Sequence, residues 1–446
     1  MAPSSEAGGM DRLNRRDLLG AGMAAGAAAW TLAGRAEAAT QLRSPLSAGA
    51  APTDRDYWRG IAAQYDLPPD VVQLENGNWG MMARPVVKAY ERKIEMVNTA
   101  TSLYSRRGFG PDFTKVRDRA ARMMGVATDE IAFTRGATEA LETLIGGYNR
   151  LRPGDQILYS DLDYDSTQAG FRWLARKRGV ELVTFQIPEP ATWQGLIDAY
   201  ARVLDQHPKV RLMLLTHVGH RTGLVMPVRE IIALAKARGV DVILDSAHAW
   251  GQLDFDVGAL GADFVGLTCQ KWMGAPIGVG IMYVRKERLD TIDVNIGVEG
   301  EEGPDSINRR IHTGTSNYAA FLAAGDAFDF HEAIGAKPKE ARLRYLRDRW
   351  AETFRDDAVI EILTPSDPRL TGALTSFRLR GQTSVAQNKA LAAELLDRFR
   401  IFTVQRDGVA SGSCVRVTPG IFTSEDDVDR LIAALKIVSR EGKLRA

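Results

Sequence analysis

Short apolar runs alternate with amphipathic stretches between residues 130 and 284, and that alternation predicts most of the fold. The runs 130–134, 156–160, 180–185, 210–216, 240–244, 264–267 and 280–284 are almost continuously apolar. Runs of this length and character read as strands buried on both faces. Between them the period changes. Ala140, Leu141, Leu144 and Ile145 fall on one face of a helix, with Thr138 expected as its N-cap. Helices are also expected over 167–178, 193–205 and 228–238, the first and last stopped by Gly179 and Gly239. Strand and helix in alternation predict an α/β fold, a mainly parallel sheet covered by helices.

The flanks read differently. Residues 39–74 form a linker and N-terminal segment, with a short helix and then a short strand at 71–74. Asn76-Gly77-Asn78-Trp79-Gly80 is a turn, and helices follow from Pro85 and over 112–124. Beyond residue 330 a charged helix over 339–355 precedes strands near 373–380 and 413–418 and helices over 385–399 and 425–438. This predicts a smaller C-terminal α+β domain at 331–446 after a large domain at 75–330. At the other end, Asn14-Arg15-Arg16-Asp17-Leu18-Leu19 opens an Ala/Gly-rich apolar run that ends near Ala36-Glu37-Ala38. A charged segment, an apolar run and a small-residue cut site make residues 1–38 a signal peptide. The arginine pair resembles a twin-arginine export signal, so a periplasmic or extracellular location is expected, with no membrane anchor once the signal is removed.

Composition narrows the chemistry. Lys and Arg total 57 against 56 for Asp and Glu, so no charge imbalance argues for a nucleic-acid partner. Two cysteines, Cys269 and Cys414, are too few for a disulfide scaffold or a cysteine-rich zinc site, and no metal is expected. No strand–GxGxxG–helix unit is present for a nicotinamide cofactor.

Four features fall at predicted strand ends, where ligands of parallel sheets bind: Gly136, Thr216, Asp245 and Lys271. Lys271 follows an apolar strand and precedes the small-residue turn Gly274-Ala-Pro-Ile-Gly-Val-Gly280. Arg135-Gly136-Ala137-Thr138 leads from a strand into a helix, whose free N–H groups and dipole suit a phosphate. Asp163-Tyr164-Asp165, Asp245-Ser-Ala-His248 and Thr313-Gly314-Thr315 complete the set. A strand-end lysine, a carboxylate and a phosphate cradle are what pyridoxal 5'-phosphate needs.

These motifs resemble the class V aminotransferase family of fold-type I pyridoxal-phosphate enzymes. The pieces are Thr134-Arg-Gly-Ala-Thr-Glu-Ala140, Thr216-His-Val-Gly-His-Arg-Thr-Gly223, Asp245-Ser-Ala-His248, Gln270-Lys271-Trp272, Gly314-Thr315-Ser-Asn317 and Arg416-Val-Thr-Pro419. The isopenicillin N epimerase-like branch is the most similar. The resemblance implies that Lys271 is the Schiff-base lysine and moves the Cα proton, and that Asp245 holds the pyridinium nitrogen. It implies that Ala137 and Thr138 bind the phosphate, that Tyr164 stacks on the ring, and that His248 lies beside the cofactor oxygen. Thr315 would reach the phosphate of a neighbouring subunit, which implies a homodimer. Arg416 would bind the α-carboxylate of an amino-acid substrate, with Asn76 and Asn78 lining its pocket. Two positions depart from the family pattern. Gln270 replaces a histidine before the lysine and can still donate to phosphate, and His220 replaces an asparagine.

Transamination, epimerisation and C–S or β-lyase chemistry all begin from this set. Epimerisation needs a second acid, for which Tyr164 or His217 would serve. Desulfuration needs a thiolate on a mobile loop, and Cys414 sits on a predicted strand. An exported binding module that senses an amine is the non-enzymatic alternative, which the intact Asp245 and Lys271 argue against.

Overall fold

The computed structural model describes residues 50–299 and 306–441. The arginine pair and its cleavage site lie outside them. The chain opens with helix α1 (Arg55–Ala62), capped by Asp54, whose carboxylate accepts from the Tyr57 amide. Strand β1 (Val72–Gln73) follows, then α2 (Arg84–Arg107), with Pro85 in its first turn and a break at Thr101, and α3 (Phe109–Met124).

The alternating region comes next. It contains β2 (Ile131–Thr134), α4 (Ala137–Gly147), β3 (Gln156–Ser160), α5 (Asp165–Arg178), β4 (Glu181–Phe185) and α6 (Trp193–Gln206). It continues with β5 (Val210–Thr216), α7 (Val228–Lys236), β6 (Asp241–Asp245), β7 (Phe264–Thr268) and β8 (Gly280–Val284). These strands form one sheet in the order β2-β8-β7-β6-β5-β3-β4. Its run from β7 to β4 is parallel, as the continuous apolar runs predict. Strand β8 is the exception, antiparallel to both β2 and β7. No helix separates β7 from β8, and a connection that short reverses the chain rather than crossing over. That reversing loop carries Lys271.

The helix face of the sheet is sealed by Leu141, Leu144, Ile145, Phe171 and Leu174 against Ile157, Leu212, Leu214, Ile243 and Phe264, all buried. Each such side chain contributes about 1.5–3 kcal/mol on burial. That rigid core fixes the strand ends from which the site is built.

Helices α8 (Tyr318–Ile334) and α9 (Ala336–Ala351) lead into β9 (Ile360–Ile362), β10 (Thr375–Leu379), α10 (Val385–Phe399), β11 (Ile401–Phe402), β12 (Val404–Arg406), β13 (Cys414–Val417) and α11 (Glu425–Glu441). Strands β12-β13-β10-β9 make an antiparallel sheet, and β11 pairs in parallel with β1, Val72 opposite Ile401. Trp350, Phe354, Phe377, Leu395, Val415 and Leu431 fill a second core there. The α+β reading of this end of the chain is therefore correct.

Three local readings change. Helix α4 begins at Ala137 with Gly136 as its N-cap, so Thr138 sits inside its first turn rather than capping it. The charged helix starts at Ala336, with Pro338 in its first turn. Helix α8 gave no periodic signal, because it is apolar nearly all round: Ala319 to Ala324 are all buried.

Candidate active site

The loop between β7 and β8 is held from both sides. The Gln270 side-chain oxygen accepts from the Gly278 amide at 2.8 Å, which ties the loop across its own mouth. The Gly80 amide donates to the Gln270 carbonyl at 2.7 Å. A Cβ at position 80 would lie 1.9 Å from the Lys271 carbonyl, so the turn at 76–80 rests directly on the lysine's backbone. Lys271 Nζ lies 2.9 Å from His248 Nε2. Burial pulls the lysine amine down to about 8; Asp245 opposes that, Arg416 adds to it, and Glu75 and Arg406 act in opposite senses more weakly.

Asp245 ends β6 and is buried, its carboxylate accepting from the Ala247 amide at 2.9 Å. Burial pushes its carboxyl up, and the Ala247 N–H and Lys271 push it back. His248 is buried as well, and burial with Lys271 beside it keeps the imidazole neutral. A neutral ring that accepts from the ammonium at Nε2 carries its proton on Nδ1. That Nδ1 has no partner among the described residues. His217 faces elsewhere: its Nδ1 is 3.3 Å from Ser246 Oγ, its ring meets Phe255, and burial pushes it down to about 4.

The start of α4 presents Gly136, Ala137 and Thr138. No side chain caps this helix, and a Cβ at Gly136 would meet nothing within 4 Å, so the space beyond the first turn is open. Thr138 is exposed while Ala137 is buried. Tyr164 precedes α5, is 37% exposed, and stands edge-on to His220 with ring centres 5.1 Å apart. Its loop is clamped by Arg221, whose guanidinium donates to the carbonyls of Asp161 and Asp163 and to the Asp165 carboxylate. Buried Asp163 ties the same loop to the sheet, accepting from Ser160 and, at 2.6 Å, from Thr216 Oγ1. Thr315 is exposed on the loop before α8.

Arg416 on β13 is 1% exposed. It donates through Nη1 to the His220 carbonyl at 2.7 Å and through Nη2 to Glu75 at 2.5 Å. Asn76 is buried beside it. Its side-chain amide donates to the Thr418 carbonyl at 2.8 Å and its backbone amide to Thr418 Oγ1, and it borders the same cleft as Lys271. The Asn78 amide donates to Glu75. Asn76 therefore stitches the turn to β13 while lining the cleft.

The structure thus brings Lys271, Asp245 and His248 together at the ends of β6 and β7, with Arg416 within electrostatic reach of the lysine. Glu75 and the buried pair Lys339–His331, which borders the cleft, escaped the sequence reading, and Asp163 entered it only as a neighbour of Tyr164. A single glutamate before a turn, or one lysine on a charged helix, carries no sequence signal by itself. The set fits pyridoxal phosphate. The orphaned His248 Nδ1 leaves a buried donor for a ligand, the uncapped α4 start is open to an anion, and Asp245 is a buried carboxylate with no ion pair among the described residues.

Residues 81–431 match the model of the aminotransferase class-V family. The chain is 30% identical over 409 residues to isopenicillin N epimerase of Streptomyces clavuligerus, covering 86% of this chain and 99% of that protein. Among solved structures, the apo cysteine desulfurase of Thermococcus onnurineus NA1 is similar with a TM-score of 0.76 at 19% identity, covering 89% of this chain and all of that one. A C-DES variant with glycine covalently linked to its PLP cofactor is similar with a TM-score of 0.72 at 22% identity, covering 86% and 98% of the two chains. With the fold, the lysine-centred site and a match over most of its length in agreement, the chain belongs to the aminotransferase class-V family and is a pyridoxal-phosphate enzyme.

Proposed function

We propose that the protein moves a proton at the Cα of an amino acid, with Lys271 as the acid–base group, and that amino-group transfer is the outcome. The observation that carries this is Lys271 itself: a buried amine, 2.9 Å from a neutral imidazole, with its pKa drawn down to about 8. A group poised near neutral pH both takes and returns a proton efficiently. Pyridoxal phosphate, when bound, supplies the electron sink that makes the Cα–H bond acidic.

The chain's own residues do the rest. Asp245 holds the proton of the ring nitrogen through its buried carboxylate. The first-turn amides of Ala137 and Thr138, with the Gln270 side-chain amide, hold the phosphate. Tyr164 covers the ring, and His248 keeps the lysine amine aimed into the site. Arg416 orients the α-carboxylate, a task that suits a guanidinium fork, and Asn76 lines the pocket. Thr315, exposed in the single chain, would serve a partner subunit in a homodimer. Cα hydrogen exchange in deuterium oxide tests the reading: the wild type exchanges an amino-acid substrate, and Lys271→Ala abolishes that exchange. Exchange at an undiminished rate in the variant would refute it.

Epimerisation is the second reading. Tyr164 favours it, a phenol edge-on to His220 that gives the site a second proton-bearing group, as does the similarity to an epimerase along nearly its whole length. A keto acid as product supports transfer, a racemised α-carbon supports epimerisation, and released sulfide supports C–S lysis. Sulfur transfer to a cysteine is disfavoured. Cys269 and Cys414 are both buried, and burial pushes the Cys414 thiol up to about 11. The arginine pair at 15 and 16 supports export of the folded enzyme. Arg15→Lys with Arg16→Lys should retain it in the cytoplasm, and unchanged export would refute that placement.

A further inference from the structure

The arginine assigned to the substrate carboxylate already holds a carboxylate. Glu75 Oε1 accepts from Arg416 Nη2, and from the Asn78 amide at 3.0 Å. Its other oxygen accepts from Thr418 Oγ1 at 3.3 Å. Glu75 and Arg416 are both at least nine-tenths buried, so their attraction is little screened by water. Gly77 closes one side of the guanidinium, where a Cβ would fall 2.6 Å from Nη2. A second guanidinium, Arg406 on β12, stands 3.8 Å from the same Glu75 oxygen. The Nε atoms of Arg416 and Arg406 are both buried without a partner among the described residues. Two cations thus share one carboxylate, and two buried donors remain for a ligand. The cluster lies within electrostatic reach of the Lys271 amine.

We propose that Glu75 is a specificity-determining residue: an internal carboxylate seated on Arg416, which a substrate α-carboxylate must displace and which amines lacking that carboxylate leave in place. Arg406 is the waiting partner for the displaced side chain. Glu75 then passes from one guanidinium to the next without becoming an unpaired buried charge. The consequence is a built-in handicap against α-amino acids relative to simple amines of the same shape. It is set by the exchange of one carboxylate for another rather than by the size of the cleft.

The inference rests on the reading that Lys271 carries the cofactor, and the test separates the two. Matched probes, L-alanine with ethylamine and L-phenylalanine with 2-phenylethylamine, are titrated into the holoenzyme and dissociation constants are read from the cofactor's visible absorption. In Glu75→Gln the carboxylate charge is gone while the shape remains. The ratio of amine to amino-acid dissociation constants should shift at least about tenfold in favour of the amino acid, with the amine constants little changed. Glu75→Asp withdraws the carboxylate by one methylene and should move the ratio the same way by less. Weaker amino-acid binding in both variants would show that Glu75 only props Arg416, and would overturn the proposal. An unchanged ratio in both variants would overturn it equally. Absence of the absorption band from the wild type would instead refute the lysine-bound cofactor, not the role of Glu75.

Discussion

Lys339, in the first turn of α9, is a lysine buried without an acid. Its Nζ donates to the Trp272 carbonyl, one residue beyond Lys271, and lies 3.2 Å from His331 Nδ1. No carboxylate pairs with it among the described residues. Burial draws its pKa from 10.5 to about 7. The folded pKa lies below the unfolded one, so between those values the unfolded chain binds the extra proton. Stability contributed by this group therefore rises as pH climbs through the window. The penalty against folding is on the order of 4 kcal/mol at pH 7 and falls to about 1 kcal/mol at pH 10. Lys339→Met removes the charge and keeps the unbranched stem. It also strips a donor from Trp272 O and His331 Nδ1, which costs about 1–3 kcal/mol at any pH. The variant should therefore be more stable than the wild type at pH 7, by about 1–3 kcal/mol, and no more stable, or less stable, at pH 10. Urea denaturation of the two holoenzymes at both pH values measures the difference, since other titrating groups largely cancel between them. A variant less stable by the same margin at pH 7 and pH 10 would refute the reasoning, because Lys339 would then titrate alike in the folded and the unfolded chain.

Gly80→Ala places a methyl where the Lys271 carbonyl now lies; it should cost about 1–3 kcal/mol in stability and loosen cofactor retention, and an unchanged melting temperature would contradict the contact. Cys269→Ala with Cys414→Ala should leave turnover of any substrate within a few-fold of wild type, and native enzyme should resist alkylation; inactivation by a thiol reagent without unfolding would contradict the burial of both thiols. Lys271, with its amine near 8, should take up cofactor roughly tenfold faster at pH 9 than at pH 7, following its neutral fraction. A rate still climbing steeply above pH 10 would mean that the amine is unperturbed.

What could be read from the chain was local. Asp245, Lys271 and the α4 start each sit at the end of a strand that announces itself by a continuous apolar run, and parallel strands bring such ends together. The start of α4 was misread by two residues, because Thr138 satisfies the usual capping preference while the chain uses the Gly136 backbone instead. Helix α8 stayed hidden because its apolar residues surround the axis and leave no stripe. The charge chemistry around Arg416 stayed hidden for a different reason. Glu75 and Arg416 are 341 residues apart, and they meet because β1 pairs with β11 and Thr418 binds the turn after β1. Lys339 reaches the Lys271 loop across 67 residues in the same way. Pairings across that span belong to the packed fold, and no local pattern encodes them.

Borohydride reduction of the purified holoenzyme, followed by digestion and peptide mass spectrometry, tests the central claim most directly. A phosphopyridoxyl group should be fixed on the peptide bearing Lys271, with the visible absorption lost in step, and Lys271→Ala should carry none. A label found instead on the other buried lysine of the cleft, Lys339, or no label on a protein that shows the absorption, would contradict the account.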